Sequence, residues 1–375
     1  MKILFCTNSF EQVSNGPAKF ANLLLDINQQ PSLDCTVKIL TEDISTSKKD
    51  VFKLHLKYPR FLKLFSQLFR IFAYHRAARK IKKEYEFDLI IYNNAFIGLL
   101  SAIIFPYTIG MINDDNNLSR RMKDWKFEKV FIKQFIFKQL EYISTRFFTK
   151  TIVNSYFLKD LIIKEYKVPD GKVCLLYKGC EIIPSRPYQD IDKQSIVKVL
   201  FVKADYLRGG LKELIFALGS LPFKFSLSVI GTPEHANQKI DNWAKNHNNV
   251  HLHLLGIQPQ AKVKEVLRKS DLFCVPSHKE ALGVANLEAI TLGVPVVSTN
   301  VGGIPEILDY GKAGWLAEAK NPQDLASKIH ECILDEEKRK QRTKHGIKHS
   351  QKFSQEITLE NFMTIARASP STSLF

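Results

Sequence analysis

Two carboxylates stand eight positions apart in the segment 280–288 (EALGVANLE), with a glycine between them. The apolar run DLFCVP at 271–276 comes directly before and predicts a buried strand, and helix-like AITLG and strand-like PVVST come directly after. The segment therefore opens a helix that connects two parallel strands. Ligands of such sheets bind beyond the carboxyl ends of the strands, where the N-terminus of a helix offers N–H groups to an anion.

Glu280 and Glu288 suit a ligand that has a diphosphate between two sets of hydroxyl groups. An ionised carboxylate accepts hydrogen bonds and donates none, so each glutamate matches the hydroxyls of a sugar. The two sugars would be a hexose and a ribose. The pair therefore indicates the sugar-nucleotide end of an active site, whereas at an arbitrary location two surface carboxylates would be the simpler interpretation.

The elements that position this segment belong to an α/β protein with two Rossmann-like parallel sheets. The 375 residues suggest roughly two domains, at about 150 residues each. Short apolar segments alternate with helical ones, and the pattern restarts after a polar, proline-bearing joint at 183–194. Predicted strands are 2–6, 35–41, 88–92, 107–111, 149–153, 197–202, 225–230, 250–254, 271–275 and 294–298.

The predicted domains are 1–185, an acceptor-binding and membrane-facing unit, and 186–350, a donor-binding unit. A C-terminal helix over 351–368 could return to the first domain, and the serine- and proline-rich tail 369–375 is predicted to be disordered. Neither half carries a Gly-x-Gly-x-x-Gly fingerprint after its first strand, which disfavours a nicotinamide dehydrogenase.

Composition predicts a cytoplasmic protein without a membrane span. The longest nearly apolar run, 96–105, is far shorter than the roughly 20 residues that cross a bilayer, and the N-terminus lacks a signal-peptide core. The six cysteines form no Cys-x-x-Cys pair and are predicted to be reduced. His251 and His253 could share one face of a strand, but no third ligand accompanies them, so no metal or other cofactor is expected.

The net charge of +16 is concentrated in one region, since residues 51–150 hold 19 basic and 8 acidic side chains. Residues 57–83 and 120–150 interleave aromatic and aliphatic side chains with lysine and arginine, which is typical of helices that lie on an anionic membrane. Ordinary helices that pack on a sheet explain the same pattern equally well. Binding of single-stranded nucleic acid is disfavoured, because no nucleic-acid module is visible.

The ordered series of motifs resembles the retaining nucleotide-sugar glycosyltransferases of the twin-Rossmann (GT-B) type, and more narrowly glycosyltransferase family 4, which includes lipopolysaccharide-core glucosyltransferases. The fold that this implies has its two domains facing a central cleft. The motifs that carry the resemblance are Gly16, YKGCE at 177–181, Gly231, Gly256, the pair Glu280 and Glu288, GVPVV at 293–297, GGIPEI at 302–307 and GKAGWL at 311–316.

The resemblance implies roles for five residues of the segment 280–288. Glu288 would bind the ribose, and Glu280 would face the hexose and act in catalysis. The backbone N–H groups of Leu282, Gly283 and Val284 would meet the β-phosphate, where glycine permits close approach. His278 lies in the same loop and is a further candidate for substrate binding. Together these contacts would stabilise the leaving diphosphate without a metal.

One departure concerns the cations that bind the diphosphate. The family usually carries Gly-Arg-x-x-x-x-Lys-Gly after the first strand of the donor domain, and alignment on Gly210 puts Ala204 and Gly209 at the two basic positions. Lys203, Arg208 and Lys212 lie beside them. Arg208 is the predicted substitute.

The first half offers a loop with Asn15 and Gly16 and a polar group that includes Asp114 and Asp115. Family members often place a polar pair near the transferred sugar at the second location, so Asp114 is a catalytic candidate and Asp115 a binding candidate. A helix cap explains the aspartates equally well, and a simple turn explains Asn15 and Gly16.

The sequence therefore predicts a hexosyltransferase that moves a sugar from a nucleotide donor, UDP-linked by preference, to a glycan or lipid-linked acceptor with retention of configuration. It would be cytoplasmic, either free or peripheral on the membrane. The alternatives are a GT-B-fold nucleotide-sugar epimerase, which would need an acid and a base near the sugar that the sequence does not clearly provide, and a non-catalytic protein that binds sugar nucleotides or lipid headgroups.

Overall fold

The computed structural model describes residues 1–11, 16–30, 33–45, 49–56, 66–115, 118 and 129–368, with the backbone alone for 129–134. The chain divides into two compact units, one of Met1–Lys178 with Thr358–Phe375 and the other of Gly179–Ile357. The predicted disordered tail, 369–375, lies outside the described residues.

The first unit is built on a seven-stranded parallel sheet in the order β3-β2-β1-β4-β5-β6-β7. Its strands are β1 Lys2–Thr7, β2 Thr36–Thr41, β3 Val51–Lys53, β4 Leu89–Tyr92, β5 Thr108–Ile112, β6 Lys150–Val153 and β7 Val173–Leu175. The α-helices that begin in this unit are α1 Gly16–Leu25, α2 Ser66–Glu84, α3 Leu99–Ile104, α4 Lys129–Phe147 and α5 Tyr156–Tyr166.

The second unit is built on a six-stranded parallel sheet in the order β10-β9-β8-β11-β12-β13. Its strands are β8 Val197–Val202, β9 Phe225–Ile230, β10 Val250–Gly256, β11 Leu272–Val275, β12 Val296–Thr299 and β13 Trp315–Ala317. Its α-helices are α6 Leu211–Gly219, α7 Asn237–Ala244, α8 Gln260–Lys269, α9 Val284–Thr291, α10 Ile304–Ile307, α11 Pro322–Leu334 and α12 Glu336–Ser350.

The last helix, α13 Gln355–Arg367, contributes its residues from Thr358 onward to the first unit. Leu359, Phe362 and Met363 are buried in the same apolar cluster as residues of β1 and α1. The Phe362 ring lies 6.0 Å from the Phe20 ring in an edge-on arrangement. The end of the chain therefore completes the core of the unit that contains its beginning.

The structure confirms the predicted α/β fold class with two parallel sheets. The burial of the strands explains why the sequence revealed it. Every residue of β4 (LIIY), β5 (TIGMI), β11 (LFCV) and β12 (VVST) is buried, as expected for parallel strands covered on both faces. The predicted strands are all present, with ends displaced by no more than two residues. Three strands of three residues each, β3, β7 and β13, were not predicted, because so short a segment has no measurable periodicity.

Two smaller sequence predictions concern cysteines and membrane spans. All six cysteines are free, and Cys6, Cys180, Cys274 and Cys332 are buried. Among the described helices, none combines the length and the apolar character that crossing a membrane requires.

Phe148 tests the packing of the first sheet against its helices. Its side chain is fully buried, and its ring occupies the space that a Cβ atom on Gly98 or Gly110 would need. We expect Phe148→Ala to lower the free energy of unfolding by about 3–5 kcal/mol, because it leaves a cavity. The matched control is Phe72→Ala, since Phe72 is 64% exposed and its loss should change stability by about 0.5 kcal/mol or less. Urea titrations that gave equal losses for the two variants would contradict this packing.

Candidate active site

Glu280 lies in the loop between β11 and α9, at the carboxyl edge of the second sheet. Its carboxylate forms a close ion pair with Lys203, which follows β8, the neighbouring strand. The Lys203 ammonium group also donates a hydrogen bond to Ser277 Oγ at 3.2 Å. Both side chains are partly exposed, 19% for Lys203 and 26% for Glu280. The pair therefore presents one cation and one carboxylate side by side where a ligand can reach them.

Glycines allow the loops around this pair to approach one another. A Cβ atom added to Gly302 would lie 1.5 Å from the carbonyl oxygen of Glu280, and one added to Gly210 would lie 2.1 Å from that of Pro276. Both glycines also have positive φ angles, 57° and 75°. No other residue fits at these positions without moving the backbone. The position of the Glu280 loop thus explains the first glycine of the GG motif at 302–303.

Gly231 and Gly256, which the family resemblance makes candidates for substrate binding, lie at the carboxyl ends of β9 and β10 and contact each other. The N–H group of Gly231 donates to the carbonyl of Gly256 at 2.7 Å. A Cβ atom on Gly231 would lie 3.0 Å from the backbone nitrogen of Ala204, so the loops after β8 and β9 are in close contact. Gly256, by contrast, has open space where a Cβ would be.

Leu282, Gly283 and Val284 lie at the N-terminus of α9. Gly283 is buried with a φ angle of 93°, and α9 begins at Val284. The first N–H groups of any helix lack partners within that helix. At the start of α9 the N–H groups of Leu282, Gly283 and Val284 directly follow the loop that carries Glu280, so they lie at the same edge of the sheet as the Glu280 carboxylate.

Glu288 lies one turn further along α9 and is partly exposed. Its Oε1 atom accepts a hydrogen bond of 3.0 Å from the side-chain amide of Gln260, the first residue of α8. This contact fixes the direction of the Glu288 side chain. Gln260 was not singled out from the sequence, since nothing in a lone glutamine at a helix start distinguishes it from a surface residue.

The three candidate cations differ in what they contact. Lys203 reaches Glu280, whereas Arg208 lies 3.4 Å from the carboxylate of Asp205 and is 45% exposed. Lys212 lies with its ammonium group 5.5 Å from the centre of the Phe216 ring. Lys203 is therefore the candidate that the structure brings to Glu280, although the sequence favoured Arg208.

His278 links the Glu280 loop to the loop after β8. Its backbone N–H donates to the carbonyl of Arg208 at 2.8 Å, and its Nε2 atom lies 3.1 Å from a carboxylate oxygen of Glu213. These contacts hold the Glu280 loop against the loop after β8, so His278 has a structural role there.

The candidates in the first unit lie at the carboxyl edge of its own sheet. Gly16 is the first residue of α1, is exposed, and has no atom within 4 Å of the place where a Cβ would be. Asp114 is exposed and Asp115 is buried, and the carbonyl of Asp115 accepts the N–H of Leu118 at 3.0 Å in a turn. Asn15 lies outside the described residues.

Three residues at the same edge, Asn93, Asn154 and Lys178, were given no role from the sequence, whereas Asn113 belongs to the polar group of Asp114 and Asp115. Asn93, Asn113 and Asn154 each follow a buried strand directly, and Lys178 contacts Asn93. The signal that could have revealed them is the recurrence of asparagine immediately after successive strands.

One cluster in the described part of the chain has metal-ligand chemistry, formed by Asp309, His345 and His349. The Nε2 atom of His345 lies 2.7 Å from Asp309 Oδ2, and the Nε2 atom of His349 lies 2.9 Å from the carbonyl oxygen of Glu306. The three side chains lie close together because α12 packs against the 304–311 segment, so these contacts explain the cluster without a metal ion. His251 and His253, which were considered as a metal pair from the sequence but not predicted to bind a metal, are both exposed on β10.

The two parallel-sheet units define a GT-B fold, and comparison with solved structures agrees. Anabaena HepE, solved with UDP-glucose, has a TM-score of 0.71 and 20% identity, with 98% of this chain and 100% of that chain covered. WaaG, a glycosyltransferase involved in lipopolysaccharide biosynthesis, has a TM-score of 0.70 and 16% identity, with 98% and 100% covered. At these identities the likeness concerns the fold.

Residues 189–349 match the family model described as glycosyl transferases group 1, so the chain carries a domain of this family. An uncharacterized glycosyltransferase of Methanocaldococcus jannaschii is 39% identical over 157 residues, which are 42% of this chain and 44% of that protein. The chain thus aligns with less than half the length of this curated relative. The resemblance drawn from the sequence motifs is confirmed at the level of the domain and the fold.

Gly302→Ala tests the close contact between the Gly302 and Glu280 loops. The matched control is Gly311→Ala, because Gly311 also has a positive φ angle, 97°, but no atom within 4 Å of its Cβ position. Each variant should lose about 1–2 kcal/mol for the left-handed backbone. Gly302→Ala should lose about 1–3 kcal/mol more, because its Cβ collides with the Glu280 carbonyl. Urea unfolding measures both, and an equal loss in the two variants would show that the loops have room to separate.

Proposed function

We propose that this protein is a retaining hexosyltransferase that uses a nucleotide sugar, with UDP as the preferred nucleotide, and a glycan or lipid-linked acceptor. The observation that carries the proposal is the Lys203–Glu280 pair beside the N-terminus of α9, with Glu288 on the same helix. This arrangement offers a cation and helix N–H groups for a diphosphate, and one carboxylate for each flanking sugar.

In the proposed reaction the bond between the hexose C1 and the β-phosphate oxygen breaks, and the diphosphate leaves with the electron pair. The acceptor oxygen attacks C1 from the same face, and its proton passes to an oxygen of the leaving phosphate. Lys203 and the N–H groups of Leu282, Gly283 and Val284 would stabilise the charge that develops on the diphosphate. Glu280 would orient the hexose and stabilise positive charge at C1.

The relatives support the choice of donor and acceptor class. HepE was solved with UDP-glucose, and WaaG is involved in lipopolysaccharide biosynthesis. Both share the fold with this chain over nearly its whole length. A UDP-linked hexose and a cell-surface glycan or glycolipid are therefore the first substrates to test.

The donor half of the proposal predicts that UDP binds and that Glu288 holds its ribose. At a concentration of about a hundred times its dissociation constant, UDP should stabilise the wild type by roughly 2.7 kcal/mol. Glu288→Gln should weaken UDP binding about ten- to a hundredfold, because hydrogen bonds to charged groups contribute about 1.5–3 kcal/mol. Calorimetric titration measures the affinity, and Glu265→Gln, on the exposed face of α8, is the control.

The catalytic half predicts that Glu280→Gln lowers kcat for sugar transfer by about a hundredfold or more while UDP affinity stays near that of the wild type. Lys203→Met should lower both kcat and UDP affinity, and Arg208→Met should change them less, since Arg208 pairs with Asp205. Release of UDP in the presence of donor and acceptor measures the rate. An unchanged rate in Glu280→Gln would contradict the catalytic assignment.

Two other outcomes would favour the alternative functions. UDP binding without turnover for any donor and acceptor would indicate a sugar-nucleotide binding protein. Inversion of the donor sugar at C2 without an acceptor would indicate an epimerase.

We also propose that the protein attaches peripherally to an anionic membrane through the first unit, as the cytoplasmic location predicted from the sequence would allow. Large apolar side chains are exposed on α2, α3 and α4, where α3 contacts both neighbouring helices. They are Phe72, Ile103, Ile104, Phe135, Ile136, Ile143 and Phe147. Exposed arginine and lysine side chains at 76, 79, 80 and 83 stand on α2 beside them. Apolar insertion combined with cationic attraction is the mode of binding that such a surface supports.

Not every basic residue in the range 57–83 is available to a membrane. Arg70 forms a 2.8 Å ion pair with Glu42, so its charge is already compensated within the protein. Burial raises the pKa of Glu42 and the Arg70 guanidinium lowers it. Arg60 and Lys63 lie outside the described residues. The proposal therefore depends on the exposed basic residues of α2.

The membrane proposal predicts sedimentation with liposomes that contain anionic lipid at low salt. Neutralising Arg76, Arg79 and Lys80 to Gln should weaken binding by about 1 kcal/mol for each charge. Phe72→Ser combined with Ile104→Ser should weaken it further, whereas Ile257→Ser, at a residue that is 76% exposed in the second unit, should not. Equal sedimentation of all variants would contradict membrane binding through these helices and indicate that they serve only to pack on the sheet.

A further inference from the structure

Four polar residues lie where strands of the first sheet end, at the edge where α/β sheets bind ligands. Thr7 is the last residue of β1, and Asn93, Asn113 and Asn154 directly follow β4, β5 and β6. The strands are adjacent in the order β1-β4-β5-β6, so the four residues form a row along that edge.

Hydrogen bonds connect this row. Asn93 Nδ2 donates to Thr7 Oγ1 at 3.2 Å, and Asn113 Nδ2 donates to the Asn93 carbonyl at 2.5 Å. Asn154 Nδ2 donates to the carbonyl of Asn113 at 3.0 Å. Asn93 is 3% exposed and Asn154 is 8% exposed. The row is therefore a fixed part of the sheet edge rather than a set of loose surface amides.

Lys178 joins the row from the segment after β7. Its ammonium group donates to Asn93 Oδ1 at 2.9 Å and lies 4.5 Å from the centre of the Phe20 ring. Both partners are neutral, and none of the ion pairs within the described residues includes Lys178. Protein atoms surround the side chain on most sides, although part of it stays accessible.

Lys178 therefore has no counter-ion among the described residues. Burial lowers the pKa of Lys178 to about 7, because desolvation disfavours the charged form. An anion that bound there would supply the missing charge and a charge-assisted hydrogen bond to one of the remaining N–H groups of the ammonium. A lysine is not needed to hold Asn93, since a neutral donor could do the same.

We propose that Lys178, together with Asn93 and the row of polar residues, binds an oxyanion, either a carboxylate or a phosphate, carried by the acceptor. The assignment to the acceptor rests on the proposed function, because the donor residues belong to the sheet of the second unit. Lys178 would act in acceptor recognition and not in catalysis. The acceptor is then an acidic glycan or a phosphorylated one.

The experiment uses the full chain with three probes: methyl glucuronide, glucose 6-phosphate and the uncharged methyl glucoside. NMR titration or calorimetry should show that at least one anionic probe binds and that methyl glucoside binds about tenfold more weakly or not at all. The anionic probe that binds more tightly distinguishes the carboxylate from the phosphate. UDP is titrated separately as a measure of the donor site.

Three variants test the role of Lys178. Lys178→Met should weaken binding of the anionic probe about ten- to a hundredfold, and Lys178→Arg should restore part of it. Asn93→Asp keeps the shape of the side chain but gives Lys178 an internal counter-ion, so it should also lose the probe. Lys150→Met is the control, since the Lys150 ammonium donates to the carbonyl of Gly171 at an exposed position.

The outcomes separate this inference from the proposed function. If UDP binds but neither anionic probe does, or if Lys178→Met and Asn93→Asp bind the probe as the wild type does, the inference is wrong and the donor site stands. If the probe binds through Lys178 and UDP does not bind, the anion site stands and the proposed donor is wrong.

Discussion

The candidate site depends on the ion pair between Lys203 and Glu280. It joins the loops that follow β8 and β11, two neighbouring strands, at the edge where ligands of parallel sheets bind. The pair can form because Gly210 and Gly302 let the backbones of these loops approach within distances that any Cβ would prevent. Both side chains are partly exposed, so both remain accessible to a polar ligand. The pairing also limits the mutual freedom of the two side chains before any ligand arrives.

Much of the fold could be predicted from the sequence, because parallel strands buried on both faces appear as apolar runs. The segments DLIIY and DLFCVP show this directly, and the structure places strands in both. The residues at the edges of the sheets were harder to predict. Strands β3, β7 and β13 have three residues each, and their place is decided by pairing with a neighbouring strand rather than by their own composition.

Only part of the site could be predicted, because some of its contacts join residues that are far apart in the sequence. Glu280, Gly283 and Glu288 belong to one continuous segment, so their spacing carries the information. Lys203 meets Glu280 from 77 positions away, and Lys178 meets Asn93 from 85 positions away. Position within a loop does not tell where a side chain points, so the sequence could not show that Lys203 contacts Glu280 and that Arg208 pairs with Asp205.

We propose that the carboxyl edge of the second sheet binds a nucleotide sugar. A crystal structure of the protein with UDP tests it most directly. We expect a diphosphate within hydrogen-bond distance of the Lys203 ammonium group and of the N–H groups at 282–284, with the ribose hydroxyls on the Glu288 carboxylate. A nucleotide bound at a different place, with the Lys203–Glu280 pair untouched, would contradict it.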